Sequence, residues 1–424
     1  MTQKTALKAL KQGHNIFLTG AAGSGKTFVL NQYIKYLKDK KIGVAVTAST
    51  GIAATHMNGI TIHAWCGMGV RDELKEADLK KIGRNSRVRN RLRTAQVLII
   101  DEVSMLHARQ LEMVDMICRR FLQKLRPFGG LQVVLSGDFF QLPPIEKNPE
   151  KEPEFVFSSK AWRSANFQIC YLTEQHRQTK DELMHVLNNI RSGSHGLADI
   201  RVLASRIDAK LKEGIKPTRL FSHNNEVNYV NELELKRIRG DQMIYEMRTS
   251  GSQQLVEMLQ HGCLAPEKLI LKKGAQVMFV KNNFDKGFVN GTTGIIEGFE
   301  AETRMPIVVT LSGERFVAGP EKWAIEHEDE ELASIRQVPL RLAWAITIRK
   351  SQGMSLDLAE IDLTKAFEYG MGYVALSRVR TLEGMRLLGL NEMALAVNPD
   401  ILAIDQDLQQ ASSAFGALLN KKTK

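Results

Sequence analysis

A chain of 424 residues is long for one hydrophobic core, so two to three domains are expected. Its 58 lysines and arginines against 47 acids leave a formal charge of +11, which favours a polyanionic partner, although a basic protein that is merely soluble has the same balance. Cys66, Cys118, Cys170 and Cys263 form no CxxC pair, which argues against a zinc site or a disulfide framework; there is no apolar run of the roughly 18 residues a membrane helix needs, and no signal-peptide core.

The chain opens on "TALKALKQG", and its first acid is Asp39. A basic organelle-targeting helix would look like this, but the segment runs straight into "NIFLTG" (15–20) and leaves no disposable leader. "NIFLTG", a glycine-rich loop, the helically spaced "KTFVLNQYIKYLKDKK" and the apolar "GVAVTAS" (43–49) make a strand, loop, helix, strand series. Such a series builds a parallel sheet wrapped by helices. "AQVLIIDEVS" (95–104) and "LQVVLSGD" (131–138) add two buried strands, each ending in acid. We assign 1–170 to this first α/β domain, with a basic insertion at 66–93.

"TRLFSHNNEVNYVNELELKRIRG" (218–240) and "PLRLAWAITIRKSQG" (339–353) repeat the strand-then-helix pattern, and "GYVALSRVR" (372–380) begins a further helix. These predict a second α/β domain over 171–245 and 337–424. Between its halves, 246–336 alternate short strands with Gly and Asn turns, as a small barrel does. The terminal "NKKTK" is expected to fray.

Chemistry enters with "GAAGSGKT" (20–27), a GxxxxGK[ST] loop between a strand and a helix. Gly23 and Gly25 let backbone N–H groups turn onto phosphate oxygens, Lys26 reaches the terminal phosphates, and Thr27 offers a hydroxyl to magnesium. Asp101, at the end of "VLII", is a strand-terminal carboxylate suited to the same magnesium. Glu102 beside it is placed to polarise an attacking water. Together these favour hydrolysis of a nucleoside triphosphate over phosphoryl transfer to a small acceptor. Arg177 in "LTEQHRQ" and Arg378 in "YVALSRVR" are either groups that reach across a cleft to the γ-phosphate or surface ion-pair partners. "GDFFQLPP" (137–144) continues neither strand nor helix, since proline lacks the N–H.

The stretch "LKKIGRNSRVRNRLRTAQ" (79–96) carries seven cations and no acid. It is either a solvated face or a guide for a nucleic-acid backbone. His63 and Trp65 just before it are base-stacking candidates, with Trp65 equally suited to the core.

In order along the chain, "GAAGSGKT", "TASTGIAATHMNGITIHAW", "DEVS", "GDFFQLPP", "LTEQHRQ", "AWAITIRKSQG" and "YVALSRVR" closely resemble the helicase motifs of the Pif-one (petite integration frequency) family, in the RecD-like branch of superfamily one. The segment "LEMVDMICRRFLQKLRPFGGLQ" (111–132) resembles the one that distinguishes this family. The resemblance implies two RecA-like domains with parallel sheets, a Src-homology-three-like barrel in the second, and 5′ to 3′ movement on single-stranded DNA that unwinds duplex or structured DNA ahead. Genome maintenance, with ATP and Mg²⁺ as cofactors, follows from it. Catalysis would fall to Lys26, Asp101, Glu102, Gln141, Arg177 and Arg378, with Gln141 a sensor between γ-phosphate and DNA. Nucleotide binding would fall to Gln3, which matches the family's adenine-reading glutamine, and to Gly20, Gly23, Ser24, Gly25, Lys26, Thr27 and Gly353, the metal being held by Thr27 and Asp101. DNA contact would fall to Thr50, Gly51, His63, Trp65, Arg87, Arg89, Ser351 and Gln352. Arg349 departs from the pattern, since many members carry histidine there. A cytoplasmic monomer is expected, nucleoid-associated in a bacterium. An RNA helicase and a DNA-gripping nucleotide switch stay open as rivals.

Overall fold

The computed structural model describes residues 1–57, 59–69, 71–146, 150–174, 182–211, 216–283, 286–327 and 330–421. The chain divides into two units, Met1–Thr179 with Asn398–Lys424, and Lys180–Val397.

The first unit is built on six parallel strands: β1 (Ile16–Gly20), β2 (Val44–Ala48), β3 (Ile60–Thr61), β4 (Val97–Asp101), β5 (Gln132–Ser136) and β6 (Gln168–Leu172), in the order β3-β2-β4-β5-β1-β6. Every residue of β1 and β4 is buried. This is why they read as unbroken apolar runs rather than alternating ones, because helices cover both faces. Leu18, Ile99 and Val134 of the sheet pack with Leu30, Tyr33 and Leu37 of the helix Lys26–Asp39. The chain leaves β1 between β5 and β6 and re-enters the sheet three positions away at β2. In open α/β sheets, ligands bind beyond the carboxyl ends of strands where the order reverses in this way.

The last helix, Pro399–Lys421, belongs to this unit, not to the second domain expected to include 337–424. It lies against β6, where the Tyr171 hydroxyl donates to both Asp405 carboxylate oxygens (3.0 and 3.2 Å) and the Tyr171 N–H donates to Ser412 Oγ (2.9 Å). Phe415 and Leu419 enter the core beside Ala6 and Leu10. Lys422–Lys424, in the terminus expected to fray, lie outside the described residues. Tyr171→Phe should cost ~1–3 kcal/mol, because it takes a donor from a buried carboxylate; urea denaturation measures it, and an unchanged midpoint and slope would show the helix docks on its apolar face alone.

The second unit holds a four-stranded parallel sheet in the order Ala345–Thr347, Thr218–Phe221, Ala359–Leu363, Met385–Leu390. Its other strands are antiparallel, as the Gly and Asn turns predicted. Arg315–Val317, Pro306–Thr310, Thr293–Phe299, Gln276–Phe279 and Leu340–Leu342 form one sheet, and Glu321–His327, Glu330–Gln337 and Arg248–Gly251 another. Phe279 stacks on Phe288 at 4.0 Å in the core of the five-stranded sheet. Two boundaries differ from the expected 246–336. The antiparallel pair of Gln242–Glu246 with Lys268–Lys272 starts earlier, and Leu340–Leu342 ends the five-stranded sheet later. The segment 339–353 is therefore not strand-then-helix: it is one strand in each kind of sheet followed by hydrogen-bonded turns. Among the described residues, no helix is long and apolar enough to cross a membrane.

Candidate nucleotide and nucleic-acid site

The 20–27 loop links the carboxyl end of β1 to the helix Lys26–Asp39. Gly23 (φ +81°) and Gly25 (φ +87°) occupy the left-handed region that favours glycine. At Gly25 space matters as much as φ, since a Cβ there would lie 2.1 Å from Gln3 Nε2. Gln3 donates from Nε2 to the Ser24 carbonyl (3.0 Å), while its own N–H donates to Glu174 Oε2 (2.7 Å). The glutamine assigned to the nucleotide thus sits against the loop. Lys26 Nζ donates to the carbonyls of Gly20 (2.7 Å) and Ala21 (3.1 Å). Ser24 is buried and Thr27 exposed.

Asp101 ends β4 and is buried. Burial pushes its carboxyl pKa up, while the Ser136 hydroxyl, the Glu102 N–H and the Lys26 charge pull it down. A buried carboxylate within the field of the loop lysine is a hard-oxygen donor of the kind magnesium takes, and the Thr27 hydroxyl beside that lysine in the chain is a second. Glu102 holds a left-handed backbone (φ 52°, ψ 45°). Ser49 fixes it: its hydroxyl donates to the Glu102 carbonyl (2.6 Å) and its N–H to the Asp101 carbonyl (3.1 Å). No local motif marks Ser49 for this task. Unfavourable backbone held by its surroundings is common where a side chain must be aimed.

"GDFFQLPP" hangs from β1 and β5. The Gly137 N–H donates to the Leu18 carbonyl (3.2 Å), and Asp138 closes the turn by accepting from the Gln141 N–H (3.0 Å) and, through Oδ1, from the Phe140 N–H (3.3 Å). Phe139 stacks on Phe17 of β1 (5.0 Å, 27°) and meets Phe155, Phe157 and Trp162 edge-on or tilted. Gln141, Pro143 and Pro144 are buried.

The residues assigned to DNA divide. Thr50 stands before the helix Gly51–His56, its Oγ1 accepting from the Ala53 N–H (3.2 Å). His63 is half-buried, and burial lowers its pKa despite the Gln110 side chain that raises it, so it is neutral at pH 7. Trp65 is 2% exposed and is a core residue with no face left for a base, which corrects its assignment as a stacking group. Arg87 and Arg89 are exposed on the helix Ser86–Thr94. Arg91 on the same helix is buried, its Nη2 donating to the Ala64 carbonyl (3.1 Å). The basic stretch is therefore neither wholly a solvated face nor wholly a guide.

In the second unit, Ser351 (0% exposed) and Gln352 (7%) lie in the turns after Ala345–Thr347, with Gly353 at φ +77°. Arg378 is 4% exposed, which excludes the surface ion pair. Its Nε donates to the Val374 carbonyl, Nη1 to those of Ser351 and Met354, and Nη2 to Ser377 Oγ, at 2.7–3.3 Å. It fastens the Ser351 turn to the helix Met371–Leu376. Arg349 pairs with Glu368 (2.9 Å). Arg177 lies outside the described residues.

The family model for PIF1-like helicases matches residues 1–201, and that for the 2B domain of DNA helicase Pif1 matches 254–299. The ATP-dependent DNA helicase Pif1 of Psychrobacter sp. is 45% identical over 94% of this chain and 69% of its own length. The chain belongs to the PIF1-like helicase family. Its human relative, ATP-dependent DNA helicase PIF1, is 37% identical, and this PIF1-like helicase spans 64% of that protein's length. The crystal structure of Pif1 helicase from Candida albicans matches with a TM-score of 0.77 and 37% identity, over 96% of this chain and 98% of that one. Pif1 from Bacteroides in complex with ADP-AlF3 and single-stranded DNA matches with a TM-score of 0.64 and 29% identity, over 96% and 95%.

Proposed function

We propose that this PIF1-like helicase is an ATP-dependent DNA helicase that moves 5′ to 3′ on single-stranded DNA and separates duplex or structured DNA ahead of it, in replication, repair or recombination. The observation that carries the reading is the gathering, in one unit, of the 20–27 loop with buried Asp101 in the field of Lys26 and Glu102 in a held, unfavourable backbone. The family and the Bacteroides complex with a nucleotide analogue and single-stranded DNA support it.

In this reading Gln3 reads the base, the loop and Lys26 hold the phosphates, and Glu102 orients the attacking water. Magnesium bound by Thr27 and Asp101 supplies neutralisation of phosphate charge. Gln141 reports the γ-phosphate to the strand, and Arg177 stabilises charge in the transition state. Thr50, Gly51, His63, Arg87 and Arg89 contact DNA in the first RecA-like domain. In the second, Ser351 and Gln352 do so from a turn that Arg378 holds, with Gly353 serving nucleotide. The antiparallel strands of the second domain form a Src-homology-three-like barrel, and one copy is the working unit.

A duplex with a 5′ single-stranded tail should be unwound when ATP is added, and one with only a 3′ tail should not. Strand-displacement assays on both decide it. Efficient unwinding from the 3′ tail alone would reverse the polarity, and unwinding from neither would leave an ATPase that grips DNA without moving.

A further inference from the structure

At the amino ends of the first unit's strands, the edge opposite the 20–27 loop, lies a cavity of about 840 Å³. Asn15, Gln96, Gln132 and Gln168 line it at the starts of β1, β4, β5 and β6. Five-residue strands put it roughly 16 Å from the loop. Arg93, Lys124 and Arg126 face it, and a neighbouring cavity of about 480 Å³ shares Arg93 and adds Arg89 and Arg120, the last also bound to Glu76 (3.2 Å). Among the described residues, no carboxylate lines either one.

Two of the four floor amides are already committed. Gln132 donates to the carbonyls of Leu10 (3.0 Å) and His14 (2.8 Å) and accepts from Tyr33, while Asn15 donates to the Ala165 carbonyl and accepts from the Val133 N–H (both 2.8 Å). The charge of the lining comes from its cations, which suit an anionic ligand. Their loop is firmly seated: buried Phe128 donates its N–H to Asp115 Oδ1 (2.6 Å), Arg119 Nη1 donates to the Leu125 carbonyl (2.9 Å), and a Cβ on Gly129 would lie 2.7 Å from the Cys118 carbonyl. Lys124, Arg126 and Arg93 are all exposed along the lining of the larger cavity.

Single strands are held by charge together with aromatic platforms, whereas a duplex backbone needs only charge. Among the described residues, the larger cavity's only aromatic ring is His14, which packs edge-on to Phe415 (5.4 Å), and Phe121 on the smaller one is half-buried beside Gly83. We propose that this basic groove, formed by Arg93, Lys124 and Arg126 at the amino edge of the sheet, is a second nucleic-acid contact that takes the sugar–phosphate backbone of duplex DNA. It adds a site to the helicase reading and does not depend on the groups that carry that reading.

The test is the full chain carrying R93Q, K124Q and R126Q together, all exposed positions whose exchange leaves the core intact. Fluorescence anisotropy on a blunt duplex, over a salt series, should show weaker binding and a log–log slope shallower by about 0.9 for each phosphate that is no longer neutralised. ATP hydrolysis stimulated by oligothymidylate should be unchanged. Wild-type duplex affinity and slope in the triple variant would overturn the proposal, as would polyglutamate displacing duplex as effectively as unlabelled duplex does. A wild-type protein that hydrolyses no ATP with oligothymidylate would overturn the helicase reading instead, with the duplex arm still deciding the groove.

Discussion

Lys26→Ala should abolish ATP hydrolysis and leave nucleotide-free binding to single-stranded DNA intact. The ammonium is the one loop group that carries a full positive charge, and it donates to the carbonyls of Gly20 and Ala21, where the proposed reading puts the terminal phosphates. Removing a single preorganised charge-stabilising donor costs on the order of 10²–10³ in turnover at other active sites, and a cation facing several phosphate oxygens should reach at least that. The fold should survive, because the Gly25 backbone at φ +87° and the burial of Val29 and Leu30 one turn on do not involve the side chain. Steady-state ATPase assays and anisotropy on a labelled oligonucleotide give the two readings. Turnover at the wild-type rate would remove the nucleotide site from this loop, and loss of both readings together would point to unfolding.

Arg378→Ala should destabilise the second unit by ~1–3 kcal/mol, since that is the cost of a buried acceptor left without a donor and the Met354 carbonyl loses its donor, whereas those of Val374 and Ser351 keep the Ser377 hydroxyl and the Met354 N–H. Arg378→Lys should rescue little, because one ammonium cannot reproduce a planar fork that meets two segments at once. Hydrolysis should fall as a consequence of the displaced Ser351 turn, in step with the loss of stability. Urea denaturation and ATPase rates on the same variants separate the possibilities. An unaltered unfolding midpoint with a rate lowered about 10³-fold or more would return Arg378 to the reacting phosphate as an arginine finger.

The nucleotide site was legible because its signals are local. An apolar run, glycines and a Lys-Thr pair lie within a dozen residues, and β4 announces itself as a run of Val, Leu and Ile ending in acid, which only a strand covered on both faces sustains. What escaped depends on partners far along the chain. Two of the four acceptors of Arg378 lie 24 and 27 residues upstream, and the anchor of the last helix, Tyr171, is 234 residues from Asp405. Helical spacing shows that 399–421 buries a face but not on which sheet. Trp65 could be read either way, because its burial depends on packing that no local pattern in the sequence shows. Leu340 and Leu342 do carry the two-residue period of a strand, and the five residues between Thr347 and Gly353 are too few for the helix expected there.

The aromatic packing under "GDFFQLPP" makes this part of the molecule stiff. Phe17 is three residues upstream of the loop and Phe139 two residues upstream of Gln141, and their rings are stacked and flanked by Phe155, Phe157 and Trp162. Close-packed rings have almost no compliance, so the root of the phosphate loop and the root of the glutamine segment share one mechanical footing. Whatever strain a bound triphosphate puts on the loop is not absorbed between them. In the proposed helicase such strain would pass from the loop to the glutamine segment.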